Sequence, residues 1–111
     1  MGMSENFSLP KGVAWVDSGG GVMRAVLSER PELMMVAFAF PKGGVGALHS
    51  HPHVQSSFVA EGRFEVTIEG ETMIVPKGGS FIVPPSALHG VKALEKGLLI
   101  DAFTPRRDDF L

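Results

Sequence analysis

Turn-forming residues interrupt this chain so often that no long helix fits between them. Breaks at residues 17–21, 42–44, 61–62, 69–70, 77–79, 84–85 and 96–97 leave runs of roughly four to eight residues, the usual length of strands. Fourteen glycines and eight prolines in 111 residues supply these breaks. No segment holds a helical period, and residues 28–32 are expected to give one turn of helix at most. Phe64, Val66 and Ile68 alternate with Arg63, Glu65, Thr67 and Glu69, the pattern of a half-buried strand with one wet face. The short apolar runs 73–75, 81–83 and 98–100 read as strands buried on both sides. Frequent short strands with regular turn signals imply an all-β antiparallel sandwich or barrel, with residues 1–111 as a single domain.

Composition narrows the function. An apolar fraction of 44% with 20% charged residues fits a compact globule rather than a disordered chain. There is no cysteine, which removes disulfide frameworks and cysteine zinc ribbons. The net charge of −2 comes with dispersed basic residues, giving neither a nucleic-acid footprint nor a membrane-surface helix. No signal peptide is visible and no run is long enough to span a bilayer. A cytoplasmic protein acting on a small molecule is the expectation, with no nucleic acid or membrane partner.

All four histidines fall in two places: His49, His51 and His53, followed by Gln55, and then His89. In one extended strand the odd positions 49, 51, 53 and 55 would share a face. Three imidazoles and an amide oxygen meeting at one spot would suit a divalent transition metal, provided the strand of His89 lies alongside.

The spacing resembles the cupin motifs. Gly43, His49, His51, Gln55 and Gly62 follow the first, with Gln55 where most cupins carry Glu. Gly78, Pro84 and His89 follow the second, with Ser86 in place of the usual Gly and Ala93 where Asn is common. Only the register using His49 and His51 places an oxygen donor four residues further on. A register using His51 and His53 would put Ser57 there, so His53 is expected to be a pocket-lining or supporting residue. The fold implied is a single-domain cupin, a double-stranded β-helix or jelly-roll barrel.

A closer resemblance is to the small cupins of pectin and alginate breakdown, the KdgF type. It rests on the string LHSHPH followed by Gln, on the PP and HG pairs around His89, and on the tail LIDAFTPRRDDFL over residues 99–111. The resemblance implies an isomerase-type enzyme that opens the ring of 4,5-unsaturated uronates to linear keto-deoxyuronates. It further implies His49, His51, Gln55 and His89 as metal ligands. Asp101, Phe103 and Arg107 would line the substrate pocket.

The chemistry is consistent with those residues. Gln55, unlike Glu, leaves the full charge of a dication available for Lewis-acid work. Zn, Ni, Mn and Fe all suit the donor set, and affinity order does not choose among them. Leu99, Asp101 and Phe103 share one strand face, so burial should raise the Asp101 pKa toward that of a proton shuttle, against the pull of a nearby cation. Arg107 offers a planar fork for a uronate carboxylate, and Phe103 a flat wall against a sugar ring.

Plainer readings stand beside these. Gln55 could be a polar wall residue, and Asp101 could form a structural ion pair with Arg106 or Arg107. Arg106 is expected as a solvated rim charge, Glu65, Glu69 and Glu71 as the wet face of a hairpin, and Met34 and Met35 as core. A cupin dioxygenase or a sugar-binding cupin without turnover are the alternative functions. A homodimer is expected, through the strands at 13–16 and 22–27.

Overall fold

The computed structural model describes residues 6–111, which fold into ten β-strands with a 3-10 turn near each end. The strands are β1 (Val16–Asp17), β2 (Met23–Arg30), β3 (Leu33–Phe40), β4 (Val45–His49), β5 (Val54–Glu61), β6 (Arg63–Ile68), β7 (Glu71–Pro76), β8 (Ser80–Val83), β9 (His89–Ala93) and β10 (Gly97–Thr104). They form a six-stranded sheet, ordered β1-β2-β3-β10-β5-β8, and a four-stranded sheet, ordered β4-β9-β6-β7. Every pairing is antiparallel. No helix among the described residues is long and apolar enough to cross a membrane.

From β3 onward the chain passes repeatedly from one sheet to the other, at residues 41–44, 50–53, 62, 77–79, 84–88 and 94–96. Most of these crossings coincide with Gly or Pro signals. At Gly62 the requirement is steric as well as conformational. Its φ is +78°, and an added Cβ would lie 2.6 Å from the Lys96 carbonyl oxygen. Within the four-stranded sheet, Glu69 (φ 47°) and Gly70 (φ 81°) make the two-residue loop between β6 and β7. Paired positive φ angles of this kind match the twist of the strands they join.

The core lies between the inner faces. Phe64 and Phe40 meet edge to face with centroids 5.1 Å apart, and Val22, Val59, Val66, Ala93 and Leu99 pack with them. A second group, Met34, Val36 and Phe103, lies on the six-stranded sheet. Alternation on β10 buries Leu99, Asp101 and Phe103 together, and on β5 it buries Gln55, Ser57 and Val59. Both strands thus carry polar side chains on a face otherwise devoted to the core. That choice builds the site.

Several expectations need correction. Residues 49–55 are not one strand: His49 ends β4 in one sheet, Gln55 belongs to β5 in the other, and 50–53 bridge them. The runs 73–75 and 81–83 are not buried on both sides, for Met73, Ile74 and Ile82 are 63%, 54% and 62% exposed. A two-layer fold offers one covered face per strand, and β7 and β8 are edges. Met34 is core but Met35 on the opposite face is not. Residues 28–32 make the β2–β3 hairpin rather than helix, and only Val16 of residues 13–16 is in a strand.

Candidate metal centre and pocket

Three imidazoles converge from three places in the chain. His49 closes β4, His89 opens β9, and the two lie opposite each other in the β4–β9 ladder. His51 comes from the bridge to β5. One ring nitrogen from each lies within 4.8 Å of the others. His53 is not in this group. Its ring packs edge-on to His51 with centroids 5.4 Å apart.

Backbone carbonyls set the orientation of the rings. The Nδ1 of His49 lies 2.8 Å from the Ala47 oxygen, that of His89 2.9 Å from the Ala87 oxygen, and that of His51 3.2 Å from the His53 oxygen. A proton on each Nδ1 leaves Nε2 as a lone-pair donor, the usual way a protein aims histidine ligands. The Nε2 of His89 is buried with no hydrogen-bond partner, a costly state unless something electropositive faces it. Burial, first among the causes, lowers the pKa of both His51 and His89, so both are neutral and able to ligate near pH 7.

Gln55 lies beside these imidazoles. Its Oε1 lies 2.9 Å from His51 Nε2. If His51 is neutral with its proton on Nδ1, two lone pairs face each other there, and a cation between or beside them removes the conflict. Gln55 Nε2 donates to Ser57 Oγ at 2.9 Å and to Asp101 Oδ2 at 3.3 Å. These contacts turn the amide oxygen toward the imidazoles. The residues present therefore fit a divalent cation.

Asp101 is the most perturbed group. Burial pushes its carboxyl up to about 7, against the lowering influence of a hydrogen bond with Ser57 and the charge of Arg107. Its Oδ1 has no hydrogen-bond partner. It forms no ion pair with Arg106 or Arg107. Arg106 instead joins Glu29 and Asp108, at 2.9 and 2.7 Å, so it is a tied strut rather than a free rim charge.

Arg107 is held firmly at the mouth. Its guanidinium lies 4.1 Å from the centroid of Phe110 and 5.2 Å from that of Phe103. Nε and Nη2 donate to the two oxygens of Asp109 at 3.0 and 2.8 Å. The side-on edge of its fork is therefore taken, and the end-on edge, Nη1 with Nη2, remains for an incoming anion.

A cavity of about 430 Å³ collects these parts. His49, Gln55, His89, Asp101, Phe103 and Arg107 line it together with the apolar side chains of Val22, Phe40 and Leu99 and the loop at Gly19-Gly20. Ser57, Asp109 and Phe110 were missed by sequence reading. Ser57 shares the strand parity of Gln55, a signal that was available. Asp109 and Phe110 meet Arg107 only through the final 3-10 turn, which no local pattern announces.

The chain is similar to known proteins over most of its length. Residues 36–100 match the family model described as a cupin domain. The pectin degradation protein KdgF of Dickeya dadantii is 43% identical over 99 residues, which cover 87% of this chain and 90% of that protein. Among solved structures, an RmlC-like cupin from Shewanella frigidimarina superposes with a TM-score of 0.93 at 42% identity, covering all of both chains. KdgF from a Halomonas species gives a TM-score of 0.90 at 40% identity, over 95% of this chain and 97% of that one. With the match to the family model and identities of this size along nearly the whole length, the chain belongs to the cupin family and, within it, to the KdgF group.

Proposed function

We propose that this protein is an enzyme of pectin or alginate breakdown that opens 4,5-unsaturated uronates and delivers them as linear keto-deoxyuronates. The observation that carries this reading is Asp101, a buried carboxyl raised to about 7 that faces the same cavity as the imidazole cluster and Arg107. A group poised near neutrality can accept and return a proton in one cycle. The kinship with KdgF proteins supports the substrate class. An acid and an arginine beside the imidazoles favour an anionic sugar over the apolar substrate of an oxygenase, and a pure binder needs no proton shuttle.

His49, His51, Gln55 and His89 would hold the divalent cation, with Zn, Ni, Mn and Fe all compatible. When bound, it supplies Lewis acidity. The remaining work falls to the chain. Arg107 holds the substrate carboxylate on its end-on edge, and Phe103 with Phe40 and Leu99 excludes water from the ring. Asp101, ionised, takes the proton of the C1 hydroxyl. The C1–ring oxygen bond breaks, leaving an aldehyde at C1 and an enolate across C4, C5 and the former ring oxygen. Asp101 then gives its proton to C4, and the enolate becomes the C5 ketone. One proton has moved from oxygen to carbon, so substrate and product are isomers.

The test follows the ultraviolet absorbance of the conjugated 4,5-double bond in lyase-derived monomers, corrected for spontaneous opening. Faster decay with the protein, lost with a chelator and regained with a divalent cation, is expected. Decay at the spontaneous rate at every metal tried would contradict the proposal.

A further inference from the structure

Gln55 is the only glutamine of the chain, and an amide has two ends. With its oxygen toward His51 it can join three imidazoles around a cation. Reversed, its N–H would point at the Nε2 of His51 and occupy the lone pair a cation needs. Something must select the first orientation. The selecting group lies two residues along β5. Ser57 is 1% exposed, on the same buried face as Gln55, and opposite Asp101 in the β5–β10 ladder. Its Oγ accepts a proton from Gln55 Nε2 at 2.9 Å, and the same Nε2 donates to Asp101 Oδ2 at 3.3 Å. The ionised carboxylate offers only lone pairs, so the N–H end of the amide faces this side, and Ser57 Oγ is the nearer of its two acceptors.

We infer that Ser57 is a positioning residue of the metal centre, fixing the Gln55 amide so that its oxygen faces the cation. This rests on the reading of Gln55 as a ligand. Sequence reading would treat Ser57 as a small strand residue, and nothing in the motif spacing marks it. Groups that orient a ligand from behind typically change metal affinity by about 10- to 100-fold when removed.

Zn²⁺ affinity, measured by competition with a chelating dye, provides a readout separate from catalysis. Ser57→Ala should weaken Zn²⁺ binding by about 10-fold or more, and Ser57→Thr, which keeps the hydroxyl, should restore most of it. Gln55→Leu should weaken binding too, and adding Ser57→Ala to it should then cost nothing further. Unchanged affinity in Gln55→Leu would sink the ligand reading of Gln55. Weakened binding in Gln55→Leu with none in Ser57→Ala would sink the role of Ser57 alone. Equal losses from Ser57→Ala in both backgrounds would mark Ser57 as merely structural and overturn the inference. A measurement on the unaltered protein needs no variant to fold. With Asn6 as the only asparagine, its ¹⁵N–¹H spectrum holds two side-chain amide pairs, and the Gln55 pair should exchange slowly with solvent. Exchange at the rate of a free amide would overturn the proposal.

Discussion

Asp101 and Arg107 line one cavity, yet the chain treats them differently. Asp101 is buried with one oxygen unpartnered, whereas Arg107 is stacked on two rings and braced by Asp109. Their removal should therefore separate in kinetics. Asp101→Asn should lower kcat by ~10²–10⁴-fold with KM little changed, the usual cost of losing a positioned proton shuttle. Arg107→Ala removes a contact made before and during reaction, so its main effect should be a raised KM. Asp101 should also leave a mark on stability. Its carboxyl is raised to about 7 in the fold, against about 4 in an unfolded chain. Below about pH 4 both states hold the proton, and no penalty exists. As pH rises toward 7 the unfolded chain releases its proton while the folded one keeps it, so stability falls, by about 4 kcal/mol at the most, and levels off above. Urea unfolding of the chelated protein at pH 5 and pH 8 should show this loss against Asp101→Asn, which lacks it. Parallel behaviour of the two proteins would mean that the carboxyl is not desolvated.

Among the elements, the crossings between sheets decide where the candidate ligands go. Gly62 shows how tight one crossing is, and it comes with a natural control. Gly62 and Gly70 have nearly the same φ, +78° and +81°, but a Cβ at Gly70 meets nothing within 4 Å, whereas at Gly62 it meets the backbone of Lys96 and Gly97. Each change to alanine should cost about 1–3 kcal/mol for the backbone conformation. Gly62→Ala should cost more, read as a larger drop in denaturant midpoint at constant m. Equal losses would show that the crossing can relax. Most of the crossings were legible from their Gly or Pro residues. The one at 50–53 was missed although Pro52 lies in it, because His51 and His53 continue an odd-numbered alternation that looks like a strand. The histidines still meet, since β4 and β9 align His49 with His89 in one sheet and the bridge toward the other sheet brings in His51. The apolar runs at β7 and β8 misled for a different reason: hydrophobicity reports affinity for a core, not whether a second layer exists to cover both faces.

At the scale of the whole molecule, the fold class and the meeting of His49, His51 and His89 could be read from turn spacing and from the histidine and glycine pattern. The rise in the Asp101 pKa also followed from strand parity, but the bracing of Arg107 by Asp109 and Phe110 could not be read, because it depends on the terminal turn. One further feature belongs to this scale. Trp15, Val16, Leu33 and Met35, on or beside β1–β3, are 45%, 46%, 56% and 42% exposed, and among the described residues β1 is an edge strand, paired only with β2. Edges and apolar surface of this kind are usually covered, so light scattering at micromolar concentration should give twice the chain's 11.8 kDa. A monomer mass would argue that this face is solvated. The proposed proton transfer within the cavity admits the most direct measurement. In deuterated water, with the products followed by proton NMR, delivery of the proton to C4 from one fixed side should place deuterium in one of the two methylene positions of the linear product. Asp101→Asn, reacting through solvent alone, should fill both. Equal labelling of both positions by the unaltered protein, once spontaneous opening is subtracted, would contradict a proton shuttle in this pocket.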